Sequence, residues 1–138
     1  MKTLELRLEF NETLPKMNDA PSDCQDALSV NSETGRFAVA DGVTRSFFPA
    51  EWSKLLVEQF CHDTSKSNLD LFKTKNWQDW LPPIQDKWSA LIHEKVSKKT
   101  GMDSIHLKNS IIARDPAAST FVGLQVDTYS TNPSWRAM

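Results

Sequence analysis

Apolar and charged residues alternate at the start of the chain, with Leu4, Leu6, Leu8 and Phe10 set against Glu5, Arg7 and Glu9. A period of two predicts a strand with one wet face. Residues 11–25 hold Pro15, Asn18, Asp19, Pro21, Ser22 and Asp23, a composition that predicts irregular loop. Asp26 to Val30 predicts a second strand, Asn31 to Gly35 a turn, and Phe37-Ala38-Val39-Ala40 a short apolar strand ending at Asp41-Gly42. Two strands around a Gly-containing turn predict a hairpin.

The period then changes. Phe48, Trp52, Leu55, Leu56 and Phe60 fall at helical spacing, with Pro49 and Glu51 suited to a first helical turn. Trp77, Trp80, Leu81, Ile84, Trp88, Leu91, Ile92 and Val96 repeat the pattern. Pro82-Pro83 predicts a split of this stretch into a short turn and a helix starting near Ile84, and Gly101 predicts a C-terminal cap. Residues 102–116 are polar and mixed and read as loop. Ala118 to Val126 is β-branched and apolar and predicts a buried strand, while Trp135 to Met138 reads as the start of a further strand without a partner. Strands, a helical block and strands again give an α+β layered domain rather than a βαβ alternation.

Composition narrows the function classes only modestly. The chain has 138 residues, enough for one domain with a modest core, and its 39% hydrophobic and 25% charged content is ordinary for a soluble globular protein. A formal charge of −2 leaves no basic footprint for nucleic acid. Lys95, Lys98 and Lys99 sit at a predicted helix end, where they complement the helix dipole. The N-terminus carries charges through its apolar positions, so no signal peptide is expected, and no run approaches a membrane span. Cys24 and Cys61 have no short metal-type spacing. A cytoplasmic, reducing setting is the expectation.

The candidate chemistry lies at the hairpin. Asp26 begins one strand and Asp41 ends the next, and Gly42 lets a backbone carbonyl approach the same point with no side chain in the way. Two carboxylates and a carbonyl on adjacent strands suit a hard cation. Asp-Gly is equally a common turn dipeptide, so both readings stand on spacing alone. His62, His93 and His106 show no ligand spacing and read as surface or structural residues. Ser119-Thr120 lacks a nucleophile elbow and reads as strand, Asp115 and Asp127 read as loop acids, and the five tryptophans read mainly as core. A partner surface at Trp77 and Trp80 is the minority alternative.

Cys24-Gln25-Asp26-Ala27, followed by Gly35-Arg36-Phe37-Ala38-Val39-Ala40-Asp41-Gly42-Val43-Thr44, resembles the opening motifs of the type 2C (PPM) metal-dependent serine/threonine protein phosphatases, in their bacterial style. Ala118-Ser119-Thr120-Phe121-Val122-Gly123-Leu124 resembles a later strand of that family. The resemblance runs from about Leu4 to Met138 and rests on three motifs in order, with two helical stretches between them. It implies a partial antiparallel β-sandwich with a flanking helix pair. Residues 1–138 would be the N-terminal part of a phosphatase-like domain, the family's later aspartates falling beyond Met138. It further implies two Mn²⁺ or Mg²⁺ ions, whose bridging hydroxide attacks the phosphorus of a phosphorylated Ser/Thr protein substrate. Asp41 would bridge both ions, the Gly42 carbonyl would bind one, and Asp26 would act through metal-bound water.

The chain departs from the family pattern in ways that bear on activity. Gln25 stands where the family has a glutamate ligand; its amide oxygen can coordinate but brings no charge. The arginine that precedes the acidic pair is missing, with Pro21 near its place, so Arg45 or Lys16 becomes the candidate phosphate-binding residue. Two divalent ions carry four positive charges against two carboxylates, so weak binding of a single ion and weak or no catalysis are expected of this chain. The competing readings are a non-catalytic phosphatase-like binding or regulatory module, and an α+β interaction domain whose Asp41-Gly42 is only a turn. Neither nucleic acid nor membrane is an expected partner. An uncovered sheet predicts self-association or strand exchange between copies.

Overall fold

The structure is a computed structural model that describes residues 7–9, 12, 14, 20, 23–62, 70–113, 115–127, 129 and 131–138. Strand β1 (Asp26–Asn31) runs into β2 (Arg36–Gly42) through a tight turn. Asn31 Oδ1 accepts from the Thr34 amide at 3.2 Å, and Gly35 closes the turn at φ 65°. Gly35 also lies under β3 (Ser119–Asp127): its carbonyl accepts from the Val126 amide at 2.8 Å, and an added Cβ would meet the Val126 oxygen at 2.1 Å. Helix α1 (Pro49–His62), helix α2 (Trp77–Ser97) and helix α3 (Met102–Ala113) separate β2 from β3, and β4 (Ser134–Ala137) follows.

The four strands form one antiparallel sheet in the order β1-β2-β3-β4. The hairpin and the Ala118–Val126 strand therefore form as expected, but the latter is not a buried strand: Thr120 and Val122 are exposed on the face no helix covers. The closing strand does not lack a partner: β4 pairs with β3 from Leu124↔Ala137 to Asp127↔Ser134, and Met138 and Gly123 exchange both backbone hydrogen bonds. Among the described residues there is this single sheet with helices, an α+β arrangement, and no second sheet completes a sandwich.

Alternation splits the sheet into two unlike faces. Ala27, Ala38, Ala40, Phe121 and Gly123 point to the helices, and Ala38 and Ala40 are buried. On α1, Ser53, Leu56, Val57, Phe60 and Cys61 are buried at helical spacing and form the stripe that lies on those small residues. The Phe60 ring, 1% exposed, sits so close to Gly123 that a Cβ there would meet its Cζ at 2.9 Å. Phe121 packs edge-on against Phe60 at 5.6 Å and also meets Trp77 and Trp80. Trp80 is only 3% exposed, so the Trp77–Trp80 pair belongs to the core and not to a partner surface. The opposite face carries Leu28, Val30, Phe37, Val39, Val122, Leu124, Val126 and Trp135, and no described helix lies on it.

Several local expectations are corrected. Pro82 and Pro83 do not split α2, which runs unbroken through them. Both rings are exposed, as are Gln78 and Asp79, whose carbonyls lose their intrahelical donors. The prolines thus sit on the exposed side of the helix, and the apolar stripe of Trp80, Ile84, Ile92 and Val96 holds it on the other. Residues 102–113 form α3 rather than loop. Its buried contact is small, Ser104, so apolar periodicity gave little signal there. Gly101 (φ 80°) is not the α2 cap but the bend into α3, its carbonyl accepting from the Ser104 amide at 3.2 Å. The predicted Leu4–Phe10 strand lies mostly outside the described residues, and Arg7–Glu9, which are described, are not in a strand. Asp127 ends β3 and is not a loop acid, while Asp115 does lie in the connection before it.

Charges settle on the surface. Lys95 bonds Glu51, tying α2 to the first turn of α1, and Lys98 pairs with Glu94 at 2.5 Å. The Lys98 ammonium holds the Glu94 carboxyl below its ordinary pKa by hydrogen bonding and charge. No helix among the described residues is long and apolar enough to cross a membrane. Because Phe60 fills the space that Gly123 leaves, Phe60→Ala should cost about 3–5 kcal/mol, read as a lower urea midpoint with little change in slope.

Candidate functional site

The hairpin register brings the two predicted carboxylates together. Asp26 and Asp41 are direct cross-strand partners at the end of the sheet. Such partners share one face with Cβ atoms about 5 Å apart. Both are exposed, and Thr120 on β3 extends the row as the next partner of Asp41. The row lies on the face away from α1, since Ala40 and Gly42 on either side of Asp41 are buried toward the helix.

Gly42 is the pivot of this end. Its amide donates to the Gln25 carbonyl at 3.2 Å, which prolongs the hairpin by one bond past Asp26. A Cβ on Gly42 would meet the Gln25 oxygen and Pro49 Cβ, each at 2.9 Å. The strand end is thus wedged between Gln25 and the first residue of α1, and only glycine fits without a shift. The following turn is laced to the chain entering β3: Val43 N donates to Ala118 O at 2.9 Å and Phe47 N to Pro116 O at 3.0 Å. Phe48 holds φ 50°, a costly conformation for a bulky residue, and its carbonyl accepts from the Trp52 amide.

Beneath this end runs a chain of hydroxyls. Ser53 on α1, fully buried, donates to Ser119 Oγ at 3.0 Å, and the single Ser119 proton lies between the Thr120 carbonyl at 2.6 Å and the Asp41 carbonyl at 3.0 Å. Ser119 and Thr120 are strand residues, as their sequence context indicated. Gln25 Oε1 is buried and has no hydrogen-bond partner. A buried amide oxygen left unsatisfied is costly, and a cation or an ordered water would relieve it.

The oxygens at this end are hard, of the kind that Mn²⁺ or Mg²⁺ accepts, yet they do not share one surface: the Asp26 and Asp41 side chains are exposed on the face away from α1, whereas Gln25 Oε1 is buried beside Gly42. Among the described residues no group of three or more His, Cys, Asp or Glu side chains is placed to hold a metal ion. Arg45 is exposed in the turn after β2 and makes no ion pair with Asp26 or Asp41, while Lys16 lies outside the described residues.

A second feature escaped the sequence reading. An open groove of about 990 Å³ runs between the outer edge of β1 and α1, lined among others by Asp26, Ser29, Lys54, Glu58, His62 and Lys87. Within it His62 Nε2 lies 3.1 Å from Ser29 Oγ. The available signal was Lys54, Glu58 and His62 at successive steps of four along one face of α1. His93 and His106 are exposed on α2 and α3.

Cys24 and Cys61 are both free, and they differ in environment. Burial pushes the Cys61 thiol up to about 11, against smaller lowering effects from Ser29 and Arg36; its sulfur contacts the Ser29 carbonyl at 3.3 Å. A raised thiol pKa favours the folded state while the thiol stays protonated, so that contribution is intact below about pH 9 and is lost as pH rises toward 11.

No family model, no curated protein and no solved structure matches the chain.

Two outcomes follow from this geometry. Gly42→Ala should lower stability by about 1–3 kcal/mol through overpacking against Gln25 and Pro49, measured by chemical denaturation. Alkaline titration of the melting temperature should show a fall between pH 9 and 11 that Cys61→Ala flattens, on top of the lower baseline that loss of a buried side chain brings.

Proposed function

We propose that the chain is a type 2C-like phosphatase domain, or the N-terminal portion of one, whose hairpin end holds a divalent cation for phosphomonoester chemistry on phosphorylated Ser/Thr proteins. The observation that carries this reading is the pairing of Asp26 with Asp41 on one face, beside a glycine whose neighbours exclude any side chain. The sequence motifs that resemble the family fall on β1, β2 and β3 in adjacent order, and a helix covers one sheet face, as in one half of the family's layered sandwich.

In this reading Asp41, Asp26 and the Gly42 carbonyl would hold Mn²⁺ or Mg²⁺, and the Gln25 amide oxygen, buried in this structure, would have to turn toward them to join. The bound ion offsets charge on phosphoryl oxygens and lowers the pKa of water at the site. The chain's own residues position and bind. Asp41 is fixed through its backbone by Ser119, and Gly42 is fixed by Gln25. Arg45, in the turn beyond them, is the candidate to meet the substrate phosphate by bidentate hydrogen bonds.

One observation favours a second reading, a phosphatase-like module that binds without hydrolysis. The described residues offer two carboxylates at this end and no third acidic or histidine ligand near them. A site of low charge holds a divalent ion loosely.

The test is Mn²⁺-dependent hydrolysis of an aryl phosphate, with Mn²⁺ binding followed in parallel and Asp41→Ala as the paired variant. Turnover above background that vanishes in Asp41→Ala supports the enzyme. Mn²⁺ binding without turnover, lost in the variant, favours the binding module. No Mn²⁺ binding at millimolar concentration overturns both and leaves Asp41-Gly42 only the end of strand β2, not the turn the sequence allowed.

A further inference from the structure

We propose that the sheet face turned away from the helices is an interaction surface for a second copy of this chain, giving a reversible face-to-face dimer. The proposal requires neither metal binding nor catalysis at the hairpin end, although the orientation argued below uses its two carboxylates.

The face is apolar across all four strands, and its centre is open. Val39 and Val122 are register partners on the two middle strands and are 50% and 52% exposed. Trp135 on β4 is 70% exposed, and Phe37 and Leu124 form the adjoining pair. An indole and two valines left in water on one plane are a contiguous patch rather than scattered surface residues. Four strands about 4.8 Å apart and about 20 Å long give a footprint of about 400 Å². That is the size of the largest apolar patches tolerated on monomers, which are often interaction sites.

Charge placement says how two copies meet. The charged strand residues on this face are Asp26 and Asp41, both at one end, and the remainder of the face holds none. A two-fold axis along the strands would bring four carboxylates together. An axis across the strands sets the two acidic ends at opposite ends of the pair and leaves apolar centre against apolar centre. Shape agrees, because sheets of the same right-handed twist stack at about −30° with their inner side chains interleaved. A second copy carries that same twist and the same uncharged centre, so the face is complementary to itself.

Area sets the strength. Two footprints come to about 800 Å², short of the roughly 1,200 Å² at which standard stable interfaces begin, so the pair is transient and concentration-dependent.

Sedimentation velocity of the full chain between about 1 and 300 µM tests this. The expected result is a monomer–dimer equilibrium with a dissociation constant of micromolar to hundreds of micromolar. Val39→Lys or Val122→Lys should weaken it at least tenfold with unchanged circular dichroism, and Ile112→Lys, on the exposed side of α3, should leave it unchanged. The arrangement has its own readout in a Cys24→Ser background: Val39→Cys, near the axis, should oxidise to a covalent dimer, and Thr120→Cys, at the acidic end, should not. A monomer over the whole range overturns the proposal and means that another part of the chain or another partner covers the face. A dimer insensitive to both lysine substitutions overturns it too, and places self-association at a strand edge. Preferential cross-linking through Thr120→Cys overturns the proposed axis.

Discussion

The fold depends on how closely α1 can approach the sheet. Ala38, Ala40 and Gly42 on β2 and Gly123 on β3 make a track of small residues, and the stripe of Leu56, Val57, Phe60 and Cys61 lies along it. Phe60 occupies the gap left by Gly123, Phe121 packs against its ring, and Trp80 packs against Phe121. Through this one stack the position of α1 determines where α2 can lie. A larger residue anywhere on the track would lift the helix, and the aromatic layer would lose its floor. The same constraint accounts for Gly42, which is squeezed between Gln25 and Pro49 because the helix begins directly over the strand's end.

That closeness couples the core to the candidate site. Asp41 is exposed on one face, yet its neighbours Ala40 and Gly42 are clamped against α1 on the other. Its carboxylate is therefore carried by a backbone with little freedom to drift. The Asp26 partner is fixed by the hairpin register, which the Gly35 turn and the Gln25–Gly42 bond pin at opposite ends. A site needs this rigidity to hold a cation at short distances, and it is present here with only two acidic side chains to use it.

Much of this was legible in the residues, and the failures have physical causes. The strand runs at Asp26–Val30 and Phe37–Ala40, with the Gly35 turn between, identified the hairpin and put Asp26 and Asp41 on adjacent strands; their direct pairing comes from the register. Helical spacing from Phe48 to Phe60 identified α1. Pro82-Pro83 misled because a proline's lost hydrogen bonds matter less where water can replace them, and local sequence does not say which side of a helix is wet. Helix α3 was hidden because it buries a serine instead of a large apolar stripe. β4 looked partnerless because strand order is a property of the whole chain: its neighbour β3 is adjacent in sequence, but pairing depends on the turn between them closing. At the site, the two acids and the glycine could be read from the chain, whereas the buried Gln25 oxygen and the hydroxyl chain from Ser53 could not, since both depend on contacts between distant segments.

That hydroxyl chain has a mechanical meaning. Ser53 lies in α1, Ser119 in β3 and the Asp41 carbonyl in β2, so one short polar thread crosses three elements and ends at the backbone of the acidic residue. Ser53 donates into Ser119, whose own single proton goes on to the strand carbonyls, so the thread ties α1 to the β2–β3 seam at the level of Asp41. The same helix carries Lys54, Glu58 and His62 into the groove beside β1, so one rigid element is shared by the groove and the seam that carries Asp41.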